Sequence, residues 1–128
     1  MKKILVVDDE EDVLFSVKNG LENNSDEYTI QTAKDGKKCL NILTKEIPDL
    51  ILLDLMMPNM NGWQTLDTIR GNLKWRHIPI FIITAVEDVE FKNSAEELGI
   101  TYIEKPFTID ELKGKIDNFL MNNNQRKK

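Results

Sequence analysis

Ile4-Leu5-Val6-Val7-Asp8-Asp9-Glu10 is the stretch on which the fold turns. Four consecutive apolar residues, mostly β-branched, give way abruptly to three acids. A strand covered on one face alternates apolar and polar residues. One that is apolar at every position has both faces covered, as in a parallel sheet flanked by helices. The same pattern recurs at Leu50-Ile51-Leu52-Leu53 and Ile80-Phe81-Ile82-Ile83, with weaker runs at Tyr28-Thr29-Ile30 and Thr101-Tyr102-Ile103. Between the runs, apolar residues fall at helical spacing. Val13, Leu14, Val17 and Leu21 share a face, as do Leu40, Leu43 and Ile47, then Leu66, Ile69 and Leu73. Ala95 and Leu98 follow, stopped by Gly99, and Ile109, Leu112, Ile116, Phe119 and Leu120 close the series. That last helix opens on Thr108-Ile109-Asp110-Glu111, which has capping-box spacing. Five strands alternating with five helices predict a doubly wound α/β domain with right-handed crossovers.

A chain of 128 residues fits one such domain and can bury a real core. Acids outnumber bases, 22 to 17, for a net charge of −5. That sign argues against direct nucleic-acid binding, which needs clustered Lys and Arg. The single cysteine, Cys39, makes neither a disulfide within the chain nor a cysteine-based zinc site, and reads as a small buried hydrophobe. No run is long enough for a membrane span or a signal segment, so a reducing cytoplasm is the expected compartment. Residues 122–128 are polar and aperiodic, and read as a frayed tail or the stub of a linker.

Ligands of open α/β sheets bind beyond the carboxyl ends of the strands. Asp8 and Asp9 follow the first run, Asp54 the third, Thr84 the fourth and Lys105 the fifth. Three carboxylates against one ammonium repel one another unless a cation joins them. Oxygen ligands with room for water suit Mg2+. A carboxylate nucleophile, a hydroxyl, an ammonium and Mg2+ together suit phosphoryl transfer. Glycine-rich phosphate loops are absent, which counts against a nucleotide donor. No Ser or Cys is paired with the only histidine, His77, which reads as an exposed loop residue beside Trp75. Trp63 reads as a packing or partly exposed surface group, Trp75 as a loop anchor, and Met56, Met57 and Met60 as loop and core filler.

These residues carry a resemblance. Val6-Val7-Asp8-Asp9-Glu10, Asp54-Leu55-Met56-Met57-Pro58 followed by Gly62, Ile83-Thr84-Ala85 and Lys105-Pro106-Phe107 are together similar to the response-regulator receiver domains of two-component signalling. The resemblance runs from about Lys3 to Leu120 and implies a receiver domain over 1–121, with a flavodoxin-like sheet in the order 2-1-3-4-5. It implies that Asp54 accepts a phosphoryl group from a sensor histidine kinase or a histidine phosphotransfer protein. Asp8, Asp9, Asp54 and the Met56 carbonyl would hold Mg2+. Lys105 and Thr84 would contact the phosphoryl oxygens. The Lys105–Pro106 peptide is expected to be cis, and Tyr102 is expected to follow Thr84 as a switch aromatic. A downstream partner would read the helix Asp88–Leu98, the Tyr102 strand and the last helix.

The resemblance thus implies a stand-alone switch, monomeric or dimerising on phosphorylation, that is no turnover enzyme and binds neither nucleic acid nor membrane directly. Two departures stand out. Fast-cycling chemotaxis receivers typically have polar residues where this chain has Met56 and Val86, so slow loss of phosphate is expected. Asn61 stands before Gly62 where Asp is frequent, and both suit the turn. Among alternatives, a Mg2+-dependent phosphohydrolase of haloacid-dehalogenase type wants Asp-x-Asp on its first strand and a cap domain. A flavodoxin-like cofactor binder would not put acids where the FMN phosphate sits. A receiver that no longer uses phosphate is disfavoured because every pocket residue is present. A receiver fragment of a longer regulator or hybrid kinase is the other alternative.

Overall fold

The structure is a computed structural model that describes residues 1–23, 27–57, 60–85, 89–97 and 99–126, with backbone alone at 89–91, 96 and 121–126. Pro58, Val86, Asp88 and Leu98, named above, lie outside the described residues. The elements alternate as β1 Lys2–Val7, α1 Glu11–Asn23, β2 Tyr28–Ala33, α2 Gly36–Leu43, β3 Leu50–Leu53, α3 Gly62–Gly71, β4 Ile80–Thr84, α4 Val89–Glu97, β5 Thr101–Glu104 and α5 Ile109–Arg126. All neighbouring strands are parallel, in the order β2-β1-β3-β4-β5. The expected doubly wound, flavodoxin-like architecture is therefore present.

The continuous apolar runs divide by parity. Leu5, Val7, Ile51, Leu53, Ile80 and Ile82 enter the core layer shared with α2 and α3. Ile4, Val6, Leu50, Leu52, Phe81 and Ile83 enter the layer shared with α1 and α5. Alternate side chains of a strand point to opposite faces, so two helical layers require every strand position to be apolar. Cys39 is fully buried in the first layer, and burial pushes its thiol up to about 12.

The helix termini follow their caps. Asp35 Oδ1 accepts from Lys38 N at 2.8 Å, and Asn61 and Gln64 form a reciprocal capping box. Thr108 Oγ1 accepts from Glu111 N at 3.0 Å, and Gly99 takes the left-handed conformation at φ +75°.

Three readings differ from the structure. Ile47 lies beyond the end of α2 and is 50% exposed, because Pro48 disfavours helical backbone at the residue before it. Leu73 lies beyond α3, which stops at Gly71 with Asn72 extended, and is 74% exposed. The stretch expected to fray stays helical to Arg126, where no Gly or Pro interrupts the ladder.

A polar tie joins the β2 edge to α5. The Tyr28 hydroxyl donates to Asp117 Oδ1, and Lys113 Nζ lies 2.7 Å from Asp117 Oδ2. Burial alone would raise the Asp117 carboxyl, but the Lys113 and Tyr28 bonds outweigh it and hold it below its ordinary value. Its contribution is therefore present above the ordinary carboxylate range and lost as pH falls through the lower folded value. Tyr28→Phe is expected to lower stability at pH 7 by about 1 kcal/mol and to reduce the acid-side loss. Urea titrations of both proteins at neutral and acid pH check this.

Candidate functional site

Parallel pairing sets the strand ends level at one edge. Backbone bonds stitch that edge together: Asp8 N to Ala33 O at 3.1 Å, Asp54 N to Val7 O at 2.9 Å, and Lys105 N to Thr84 O at 2.9 Å. The buried polar residues are Asp8, Asp54, Thr65 and Thr84 among the described residues. Three of these stand at strand ends, so the polar burial concentrates where the apolar runs stop.

Lys105 unites the cluster. Its ammonium lies 2.7 Å from Asp8 Oδ2, 3.4 Å from Asp54 Oδ2 and 3.3 Å from Glu10 Oε1. Burial would lower the Lys105 ammonium, but the carboxylates of Asp8, Asp54 and Glu10 hold it above its ordinary value. Burial raises the Asp8 carboxyl; the Lys105 contact and the Glu10 N–H only partly oppose this. Each buried carboxylate also accepts the backbone N–H two residues on. Glu10 N donates to Asp8 Oδ1 at 2.9 Å, and Met56 N donates to Asp54 Oδ1 at 3.1 Å.

The fit to a divalent cation rests on Asp8. Its Oδ2 is buried, and its one close partner among the described residues is the Lys105 ammonium at 2.7 Å. One carboxylate oxygen each from Asp8, Asp9 and Glu10 lies within 4.8 Å of the others, and Asp9 and Glu10 are open to solvent. A hard cation with water ligands matches a buried carboxylate whose one neighbouring ammonium is shared with Asp54 and Glu10, beside exposed carboxylates.

The structure thus joins Asp8 and Asp54 through Lys105, sets Asp9 beside Asp8, and buries Thr84 at the same edge. The Lys105–Pro106 peptide is cis. The Met56 side chain is 61% exposed beside the site. Tyr102 pairs in register with Ile82, two residues before Thr84 on the adjoining strand, and packs half-buried on the first core layer. His77 is exposed, and Trp75 packs half-buried on the core.

Two features were not foreseen. Glu10 reaches Lys105 across 95 residues of chain, and its only signal was a third acid after the strand. Gly62 is pressed against the backbone that carries Asp54, where an added Cβ would stand 2.2 Å from the Asp54 carbonyl oxygen.

Residues 4–117 match the response regulator receiver domain family. The chain belongs to that family. This receiver domain is 39% identical over 127 residues to the response regulator ArlR of Staphylococcus saprophyticus, covering 98% of this chain and 56% of that protein. It is 36% identical over 120 residues to a probable cyclic di-GMP phosphodiesterase of Vibrio cholerae, covering 93% and 26%. Among solved structures, the chemotaxis response regulator CheY4 of Vibrio cholerae superposes with a TM-score of 0.81 at 28% identity, covering 92% and 98%. Proteins named as histidine kinases are also among the relatives. The receiver domain spans between 8% and 56% of the length of these curated relatives. Like its family, it is a phosphorylation-activated signalling switch. No described helix is long and apolar enough to cross a membrane.

Proposed function

We propose that this receiver domain takes a phosphoryl group from a phosphohistidine partner onto Asp54. The observation that carries this reading is the Lys105 ammonium, which faces the buried Asp8 and Asp54 carboxylates together. In the transfer, an Asp54 carboxylate oxygen attacks phosphorus. The P–O bond forms as the P–N bond breaks, and the electron pair leaves on the imidazole nitrogen. Bound Mg2+, held by Asp8, Asp9, Asp54 and the Met56 carbonyl, would neutralise charge on the phosphoryl oxygens. Lys105 turns from the carboxylates toward a phosphoryl oxygen, and the Thr84 hydroxyl donates to another.

A cavity of about 620 Å3, lined in part by Val13, Ala85, Pro106, Phe107 and Ile109, opens onto Lys105 and supports approach of the donor from the α1 side. The phosphoryl group gives Thr84 and Lys105 contacts that exist only in the modified state. Such differential contacts shift a pre-existing equilibrium. Tyr102, one strand away, transmits the change to the face formed by α4, β5 and α5, where an effector protein reads it. The domain acts in the cytoplasm, as a monomer or a phosphorylation-dependent dimer. It catalyses only its own phosphorylation and dephosphorylation.

Incubation with acetyl phosphate and Mg2+ is expected to give one phosphoryl adduct by intact mass. The adduct should survive acid, be lost to base or hydroxylamine, and fail to form in Asp54→Asn or after chelation of the metal. No adduct on the unaltered chain would defeat the proposal, and repeated turnover of phosphate esters would replace it with a hydrolase.

A further inference from the structure

The pole opposite Asp54 carries a second concave surface. A cleft of about 800 Å3 lies between the end of α2 with its following turn (43–47) and the end of α3 with its loop (71–75). Leu43 and Trp75 reach it from the core, while Ile47 and Leu73 stand 50% and 74% exposed at its edges. β3 runs from this pole to the other, so its four residues put the cleft at least about 13 Å from Asp54. The volume is that of a site for one or two side chains of a ligand, within the roughly 300–1,000 Å3 of ordinary binding pockets.

Both walls are held in place without an occupant. On the α3 side, Arg70 Nη1 donates to the carbonyls of Arg76 and Ile78 at 2.9 Å each. Trp75 N and Arg76 N donate to Asn72 O, and Lys74 N donates to Asn72 Oδ1 at 2.8 Å. On the α2 side, Lys45 N and Glu46 N both donate to Ile42 O. A preformed cleft loses little freedom when filled, which favours binding.

Charge indicates what fills it. The chain carries −5 overall, yet residues 70–77 hold Arg70, Lys74 and Arg76 with no acid. Lys45 and Lys74 flank the cleft, and neither ammonium enters an ion pair among the described residues. The one acid in the lining, Glu46, is already engaged by Lys3. We propose that this cleft docks a segment of a partner protein that carries a bulky apolar side chain between acidic residues. The apolar group fills the space between Ile47, Leu73 and Trp75, and the acids meet Lys45 and Lys74. Concavity favours a peptide over a bilayer surface, which is flat at this scale and needs protruding apolar groups to enter it.

The test uses the whole chain, labelled with nitrogen-15, and three acetylated hexapeptides with Leu, Phe or Trp flanked by Asp and Glu. At least one is expected to cause saturable shifts in the Trp75 indole and in amides 43–47 and 71–75. Binding should weaken by about tenfold or more in Leu73→Ser and in the Lys45→Glu, Lys74→Glu pair. These surface variants should still form the acetyl-phosphate adduct, which shows that they are folded. Lys-flanked versions of the same peptides should not bind. The proposal fails if no acidic peptide saturates, if the Lys-flanked peptides bind equally, or if the same resonances respond only to phosphatidylserine vesicles.

Discussion

Gly62→Ala is expected to destabilise the domain by more than about 3 kcal/mol, the upper end of what overpacking usually costs. An added Cβ would stand 2.2 Å from the Asp54 carbonyl oxygen and 2.4 Å from the Leu55 Cα. Both neighbours are backbone, so no rotamer change relieves the clash. Relief requires α3 to withdraw or the chain at Asp54–Leu55 to shift. Withdrawal breaks the 3.0 Å bond from Gly62 N to Leu55 O and opens the layer around Leu66 and Ile69. A shift of the chain moves the Asp54 carboxylate away from Lys105, so phosphorylation should fall along with stability. Gly114→Ala is the contrast. Its added Cβ meets nothing within 4 Å, and it lies within α5. There the substitution should stabilise by about 0.5–1 kcal/mol, because Gly is the poorer helix former. Urea denaturation of the two variants separates the cases, and a Gly62→Ala protein as stable as the unaltered chain would refute the close-approach account.

That contrast marks where sequence reading stops. Both residues are glycines at helical positions, and only tertiary closure distinguishes them. The strands were legible because two-sided burial leaves a local mark: Leu50-Ile51-Leu52-Leu53 can be apolar throughout only if both faces are covered. The site was legible for the complementary reason. A buried acid directly after such a run, as at Asp8 or Asp54, breaks a burial rule that chemistry alone explains. Helix ends were harder to read. Ile47 and Leu73 keep the helical spacing after the backbone has left the helix, since periodicity cannot register where Pro48 or Asn72 turns the chain. The Glu10 contact with Lys105 left no mark beyond a third acid after the strand, because it joins residues 95 apart and exists only once β1 and β5 lie in one sheet.

Lys105→Met is expected to have the second large effect, and an unusual pH and metal dependence. Removing the ammonium leaves Asp8 and Asp54, 0% and 2% exposed, without their cation, while Glu10 can turn to water. Breaking a buried ion pair by deleting one partner costs about 3 kcal/mol or more, since the remaining charge stays desolvated. For a domain of this size that corresponds to a fall in Tm of about 10 °C at pH 7. Burial already raises Asp8, so its ionisation opposes folding as pH rises from the ordinary carboxylate value through the higher folded one. Without Lys105 the carboxyl should rise further. The deficit should therefore shrink on acidification as Asp8 takes up a proton, whereas a simple packing defect would persist. On the proposed reading, Mg2+ supplies the missing charge. Saturation at about a hundredfold over Kd is worth about 2.7 kcal/mol to the folded state, enough to restore most of the loss. Thermal melts at pH 5 and 7, with and without Mg2+, distinguish the outcomes. A variant equally weakened under all four conditions would mean that the lysine matters for its hydrocarbon stem. One that regains its Tm with acid or with Mg2+, yet forms little phosphoryl adduct, would show one ammonium serving twice: as the counter-ion that lets two aspartates be buried, and as the group an incoming phosphate draws away from them.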